Sequence, residues 1–156
     1  MYEVNSDEFW MSKAIEQALK AESIGEVPVG AVIVKNNELI ATGYNQVITL
    51  NDSSAHAEVM ALRNAGSNIG NYRVVDTTLY VTLEPCMMCA GAMVHARISR
   101  LVFGAFDQKT GIISSRDDCF DKPYHNHKVE YQGGVLQDEC SELLKEFFKG
   151  RRSLKS

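Results

Sequence analysis

Two cysteines in this sequence are spaced as ligands of one metal ion would be. Cys86 and Cys89 follow Pro85 and open a run that is predicted to be helical. Residues three apart on a helix lie on the same side, so both sulfurs can reach one point. A helix N-terminus also favours negative charge, which lowers the pKa of a thiol. The pair therefore predicts half of a metal site.

The other half is expected at His56-Ala57-Glu58, thirty residues before Cys86. This tripeptide also begins a predicted helix, and His56 would supply a third ligand. Two cysteines and one histidine around Zn²⁺ leave the fourth tetrahedral position open for water or hydroxide, which is typical of catalytic zinc. Glu58 lies about 200° around the helix from His56. We therefore interpret it as a proton shuttle, not as a ligand, and predict one zinc ion per subunit.

Each motif alone has a simpler explanation. A lone C-x-x-C can be a redox pair or half of a structural zinc site, and a lone H-x-E is usually two polar residues in a first helical turn. Together, in the order H-x-E and then P-C-x-x-C, they match the established signature of zinc nucleobase deaminases. A non-catalytic zinc-binding module used for assembly stays open as an alternative, and a fourth protein ligand would support it.

Length and composition indicate one globular domain. The 156 residues are 45% hydrophobic and 23% charged, which is ordinary for a single domain with a substantial core. We expect this domain over residues 1–150 and a basic tail over 151–156. No apolar run approaches the roughly 18 residues of a membrane span, and the acidic N-terminus lacks the blocks of a secretion signal. The chain is therefore expected in the cytoplasm, with no membrane contact.

The charge distribution is uneven. The net charge is −4, yet residues 145–156 carry five basic side chains and one acidic one. A basic end on an acidic body suggests a local patch that contacts phosphate. Within it Arg151 and Arg152 are candidate phosphate contacts, and Lys109 is a further candidate nearer the middle of the chain. A solvated tail explains the same charges equally well.

The apolar pattern predicts four helices and five strands in the order α-β-β-α-β-α-β-β-α, a mixed sheet sandwiched between helices. A helix separates the third and fourth strands, so these two are expected to be parallel. Both ligand-bearing helices start at or after strand ends, where α/β folds place their sites. The predicted strands are Val29–Val34, Leu39–Tyr44, Leu79–Glu84, Arg100–Phe106 and Lys128–Tyr131, and the helices begin near Ser6, His56, Cys86 and Asp138, the second ending near Ala65 and the last at Phe148.

Several longer segments resemble one family. The chain is similar over nearly its whole length to the bacterial tRNA-specific adenosine deaminases of the cytidine-deaminase superfamily. The zinc motif is shared across that superfamily, whereas the match around it favours the tRNA enzymes. The matching segments are GEVPVGAVIV at 25–34, GYN at 43–45, AHAEVMALR at 55–63, NYR at 71–73, LYVTLEPCMMCAGAM at 79–93, VFGAFDQKTG at 102–111, NHKVE at 126–130 and ECSELLKEFFKGRR at 139–152.

The resemblance implies a fold and an activity. The fold would be a three-layer α/β/α sandwich around a mixed five-stranded sheet, cytidine-deaminase-like and assembled as a homodimer. The activity would be zinc-dependent hydrolytic deamination of adenosine to inosine at the wobble position of a tRNA anticodon. A zinc deaminase of a free nucleobase or nucleoside would share the zinc residues and is the alternative; comparable turnover on free adenosine or cytidine would favour it.

The same resemblance implies substrate contacts. Asn45 and the backbone of Ala57 would hold the flipped base. Asp107 would lie beside the sugar of the target nucleotide and sense its 2′-hydroxyl, the group that distinguishes RNA from DNA. Lys109 belongs to the same loop. The following residues, 113–120, depart from the Gly-Ser pair and apolar stretch that are usual in the family.

Overall fold

The computed structural model describes residues 2–155 and, in the last helix, side chains as far as residue 151. Within this part of the chain the predicted order of helices and strands is confirmed. The elements are α1 (Asp7–Ser23), β1 (Gly30–Lys35), β2 (Glu38–Tyr44), α2 (Ala57–Ile69), β3 (Thr78–Leu83), α3 (Met87–Ala96), β4 (Arg100–Ala105), β5 (Glu130–Gln132) and α4 (Gln137–Lys155), with a single 3₁₀ turn at Cys119–Asp121.

The five strands form one mixed sheet in the order β2-β1-β3-β4-β5. β1 is antiparallel to both β2 and β3, whereas β3, β4 and β5 are parallel. The hairpin and the parallel pairing of β3 with β4 are therefore confirmed. Leu83 pairs with Ala105, so β3 and β4 end side by side. The residues that follow these two strands must lie at the same edge of the sheet.

Alternate residues of the central strands face two separate cores, which gives the three layers. Ile33, Val81 and Phe103 pack with α2 and α3 on one face of the sheet. Val32 and Val102 pack with α1 and α4 on the other. A strand whose successive residues are all buried must be covered on both faces, as the burial of β1 shows. The predicted α/β/α sandwich is thus confirmed.

Gly43 lets α2 lie directly on β2. A Cβ atom at this position would meet the Ala61 nitrogen at 2.4 Å and the Ala57 oxygen at 2.5 Å. Because both atoms belong to the helix backbone, only glycine allows this approach. The first turn of α2, with His56 and Glu58, is set by that contact.

A charged contact joins α1 to the centre of the sheet. Arg100 donates to both carboxylate oxygens of Asp7, at 2.9 and 2.7 Å, and the Tyr80 hydroxyl donates to the same carboxylate at 2.9 Å. The Arg100 hydrogen bond is the main reason why the pKa of Asp7 lies below 3.8, its ordinary value; partial burial opposes the shift. Ser6, near the predicted start of the helix, caps α1: its side-chain oxygen accepts a hydrogen bond from the Phe9 N–H.

Two helices are longer than predicted. α2 continues past Ala65 to Ile69, since Gly70, at φ 79°, provides the left-handed cap that ends it. The prediction that the last helix ends at Phe148 is wrong, because α4 continues to Lys155. None of the helices in residues 2–155 has the length and apolar character needed to cross a membrane.

The last strand is shifted from its predicted position. β5 covers Glu130–Gln132 instead of Lys128–Tyr131. Its register is fixed by pairing with β4, in which Arg100 lies opposite Glu130, and that partner is not visible in the local pattern of residues 128–131.

Candidate active site

Three side chains from two helix starts meet at one point. His56 is the N-cap of α2, and Cys86 is the N-cap of α3, both with extended backbone. Cys89 lies one turn into α3 and is buried. Because β2 and β3 lie on either side of β1 in one sheet, the helices that follow them bring the histidine and the cysteines together. Neither N-cap side chain bonds the helix backbone, which leaves both free to bind an ion.

The distances between these side chains fit a zinc ion. His56 Nδ1 lies 3.7 Å from the Cys86 sulfur and 3.5 Å from the Cys89 sulfur. Zinc bonds of about 2.3 Å to sulfur and about 2.0 Å to nitrogen, at tetrahedral angles, require a sulfur–nitrogen distance of about 3.5 Å. All three ligand atoms lie within 4.8 Å of one another. The predicted convergence of His56, Cys86 and Cys89 is present.

No fourth ligand from His, Cys, Asp or Glu joins this group within the described residues. A structural zinc site normally has four protein ligands, whereas three leave a coordination position for water or substrate. The arrangement is therefore of the catalytic type, and the chemistry of the donor set, two thiols and one imidazole, suits Zn²⁺.

The two thiols share their protons unequally. The Cys86 pKa is lowered to about 4, chiefly because the Cys89 thiol donates a hydrogen bond to its sulfur; the neighbouring His56 lowers it further, and burial opposes the shift. The pKa of Cys89 is raised, because it keeps that shared proton and is buried. The pair thus loses one proton easily and the second with difficulty. A bound cation favours loss of both.

Glu58 lies in the first turn of α2 with only 4% of its surface exposed. Burial raises the pKa of its carboxyl group to about 7, with a further contribution from Cys86 and an opposing one from His56. A carboxyl group with a pKa near neutrality can both accept and donate a proton at physiological pH. Its surroundings therefore suit the predicted proton shuttle.

Asn45 and Ala57 are in direct contact. The Asn45 side-chain oxygen accepts a hydrogen bond of 2.8 Å from the Ala57 N–H, the first backbone donor of α2. The Asn45 side chain is thus fixed beside His56, with its amide N–H₂ group not used in this bond. A second anchor acts on the loop between them: buried Glu26 accepts hydrogen bonds from the N–H groups of Ile48 and Thr49.

Asp107 begins the loop after β4 and folds it into a tight turn. One carboxylate oxygen accepts the N–H groups of Lys109 and Thr110, and the other accepts the Thr110 hydroxyl. Its own N–H donates to Glu84 at 3.1 Å. The Lys109 side chain is exposed. Both residues thus lie at the sheet edge that also carries the cysteines.

Sequence reasoning missed Glu84. This side chain is 2% exposed and accepts hydrogen bonds from four residues of the 107–115 loop. Burial alone would raise the pKa of its carboxyl group, but these hydrogen bonds, led by Ser115, keep it below 4.5. Its position directly before Pro85 and Cys86 is the signal that could have drawn attention to it.

Of the two arginines predicted to contact phosphate, Arg151 is the one whose side chain is described. Arg151 lies on α4, donates to the Gly25 carbonyl and stacks 4.9 Å from the centre of the Phe147 ring. The Arg152 side chain lies outside the described part.

An open groove of about 600 Å³ lies between α2 and α3, away from the metal ligands. Its walls are largely apolar and include Val59, Leu62 and Ala92, and Tyr72 at its edge is 71% exposed. The groove contains none of the site residues described above.

Comparison with known proteins places this geometry in a family. Residues 4–105 match the cytidine and deoxycytidylate deaminase zinc-binding region. A Haemophilus influenzae protein named tRNA-specific adenosine deaminase is 55% identical over 150 residues, covering 96% of this chain and 87% of that protein. The Bacillus subtilis protein of the same name is 45% identical over 152 residues, covering 97% of this chain and 94% of that protein.

Solved structures agree with this assignment. A structure from a study of A-to-I editing by tRNA:A34 deaminases at the wobble position of transfer RNA superposes with a TM-score of 0.84 at 41% identity, covering 86% of this chain and 98% of that one. A Bacillus subtilis guanine deaminase superposes with a TM-score of 0.64 at 34% identity, covering 95% and 94%.

Proposed function

The chain belongs to the cytidine and deoxycytidylate deaminase family, and from this premise we propose that it deaminates adenosine to inosine at the wobble position of a tRNA anticodon. The observation that carries the reaction is the three-ligand group of His56, Cys86 and Cys89 with buried Glu58 beside it. The observation that supports the substrate is 55% identity, over 96% of this chain, to a relative named for that activity.

The cofactor is one Zn²⁺ per subunit, bound by the three side chains with water as fourth ligand. When bound, zinc lowers the pKa of such a water from about 15.7 towards about 7 and so supplies a nucleophile at neutral pH. Glu58 takes a proton from the attacking water and delivers it to N1 of adenine, which makes C6 electrophilic. After the C6–O bond forms, the ionised Glu58 carboxylate takes the remaining proton from the new C6 hydroxyl and passes it to the amino group, so that ammonia leaves and C6 becomes the carbonyl of inosine.

The substrate contacts are assigned to residues near the two helix starts. The free amide N–H₂ of Asn45 faces the base, and the backbone of Ala57 supports it. Asp107 lies beside the ribose and Lys109 beside a phosphate. An adenine in an anticodon loop leaves its stack more cheaply than one in a duplex, so a loop RNA suits a pocket that must take the base out.

The remaining assignments concern assembly and location. Arg151 and Arg152 contact phosphate groups of the RNA. The protein is a homodimer in the cytoplasm, and the apolar groove between α2 and α3 offers a surface for the second copy. Sedimentation of the purified protein tests the dimer, which is refuted if the chain sediments as a monomer at micromolar concentration. The deaminase domain comprises residues 1–150 and is followed by a basic tail of residues 151–156, into which α4 continues.

A free nucleobase or nucleoside is the second candidate substrate. It is favoured by the likeness to one guanine deaminase structure at 34% identity. The two proposals share the metal centre and differ in the need for RNA.

One experiment separates them. Purified protein is incubated with total tRNA, and with free adenosine, cytidine and guanine at equal concentration. We expect inosine at the first anticodon position and turnover on the free compounds lower by at least about a hundredfold. Comparable turnover on a free base or nucleoside would favour the second candidate, and zinc-loaded protein that deaminates none of these substrates would refute both.

A further inference from the structure

The Glu84 carboxylate accepts five hydrogen bonds. One carboxylate oxygen accepts the N–H groups of Ile113, Ser114 and Ser115 at 3.1, 2.7 and 3.0 Å. The other accepts the Asp107 N–H at 3.1 Å and the Ser115 hydroxyl. A buried carboxylate is stable only with such compensation. These five donors all come from one loop.

The loop also closes on the segment that leads into α3. The Ile112 N–H donates to the Pro85 carbonyl at 3.0 Å, and the Glu84 N–H donates to the Ala105 carbonyl at 2.8 Å. A Cβ at Gly111 would meet the Glu84 carboxyl carbon at 2.4 Å. Glu84 therefore fills the space between the loop and the residues directly before the ligand Cys86.

Asp107 connects Glu84 to the residues that follow it in the loop. Its carboxylate already bonds the backbone of Lys109 and Thr110, so residues 107–110 form one turn. The turn is tied to Glu84 by the Asp107 N–H. If this hydrogen bond is lost, the turn can shift, and the side chains of Asp107 and Lys109 then move together.

We propose that Glu84 is a positioning residue for RNA binding: its carboxylate fixes the turn carrying Asp107 and Lys109 relative to the metal centre, and it takes no part in metal binding or proton transfer. The inference rests on the proposed function, because it assigns the turn to the RNA. Releasing the turn lowers the fraction of molecules that are ready to bind, and the dissociation constant rises by the same factor.

The Glu84→Gln variant isolates one contact. If the amide oxygen keeps the three N–H groups of residues 113–115, the amide N–H₂ faces the Asp107 N–H, donor against donor. The Ser115 hydroxyl can rotate and accept from the amide, so the lost bond is the one to Asp107. Ser115→Ala is the matched control, since it removes a hydrogen bond to the same carboxylate oxygen and leaves the Asp107 bond intact.

The probe is an anticodon stem-loop RNA with adenosine at the wobble position. Its Kd is measured with each variant placed in a Glu58→Ala background, and KM, kcat and zinc content are measured with Glu58 intact. For Glu84→Gln we expect Kd and KM to rise about tenfold or more, kcat to change less than threefold, and one zinc per chain. For Ser115→Ala we expect Kd to change less than threefold.

Several outcomes overturn the proposal. A folded, zinc-loaded Glu84→Gln protein whose Kd stays within threefold refutes it, and so does an equal rise in Kd for Ser115→Ala. Loss of zinc or of kcat at unchanged Kd would instead place Glu84 in the metal centre. If Glu84→Gln does not fold, the Gly111→Ala variant tests the proposal instead. Its added Cβ displaces the same turn while the Glu84 carboxylate remains, and an unchanged Kd for this variant refutes the proposal. If the parent protein, with Glu84 and Gly111 intact, neither binds nor deaminates the RNA, the proposed function and this inference are refuted together.

Discussion

Replacing Gly43 with alanine tests whether helix position controls the metal centre. The added Cβ would lie 2.4 Å from the Ala61 nitrogen and 2.5 Å from the Ala57 oxygen, whereas ordinary contact begins at about 3.4 Å. Both atoms are helix backbone, so no side-chain rotation relieves the overlap. α2 must move away from β2 by about 1 Å.

The size of the effect follows from this displacement. Forcing a methyl group into a well-packed contact costs about 1–3 kcal/mol, which lowers the Tm of a chain this long by roughly 2–12 °C. His56 moves with the helix, while Cys86 and Cys89 belong to α3. A shift of about 1 Å exceeds the tolerance of roughly 0.2 Å for a zinc–ligand distance. We therefore expect zinc affinity to fall about 10- to 100-fold, as for loss of other groups that orient metal ligands.

The assay is competition for zinc between the protein and a chromophoric chelator, with Tm measured for both the metal-free and zinc-loaded forms. Gly91→Ala is the control. This glycine lies within α3, and a Cβ added there would have no neighbouring atom within 4 Å. Alanine at this position favours the helix by up to about 1 kcal/mol, and zinc affinity should be unchanged.

The reasoning is refuted by a Gly43→Ala protein that binds zinc as tightly as the parent chain. A lower Tm together with unchanged zinc affinity would show that the helix yields elsewhere and that the His56 position does not depend on the β2 contact.

Four further outcomes are expected. Glu58→Ala keeps its zinc by metal analysis but loses about a thousandfold or more of inosine formation; turnover within tenfold would reject the shuttle role. Cys86→Ala loses zinc on dialysis, and full retention would remove this residue from the ligand set. Asp7→Asn lowers the free energy of unfolding by about 2 kcal/mol at pH 7. Because the folded-state pKa of Asp7 is lowered below 3.8, the stabilisation by Asp7 is present above pH 3.8 and is lost as the pH falls through the folded-state pKa. The denaturation curves of the two proteins should therefore converge only in acid. Replacing Arg151 and Arg152 with glutamine should flatten the logarithmic salt dependence of RNA binding by between about one and two, and an unchanged slope would show that neither contacts phosphate.

The metal ligands could be predicted because their geometry is local. Cys86 and Cys89 share a helix face by spacing alone, and His56 is recognisable from its own tripeptide. The parallel pairing of β3 and β4 follows from the helix between them. Each motif can be recognised from a few neighbouring residues, whereas the approach of His56 to cysteines thirty residues later depends on the fold.

Glu84 and the end of α4 could not be predicted, because their partners are distant. Glu84 reads as the last residue of a strand, yet its hydrogen-bond partners lie 23–31 residues away and are mostly backbone N–H groups. Such groups are present in every non-proline residue and leave no pattern in the sequence. Arg151 likewise contacts Gly25, 126 residues away, in a part of α4 beyond the helix end predicted at Phe148.

The loop that closes on Glu84 is tied down almost wholly through main-chain groups, with the Ser115 hydroxyl as the side-chain exception. Mutations at its exposed positions, such as Ser114 and Arg116, can therefore accumulate over evolution while the tether survives. Such a segment offers a route by which descendants of one ancestral deaminase can acquire new RNA preferences without rebuilding the catalytic centre.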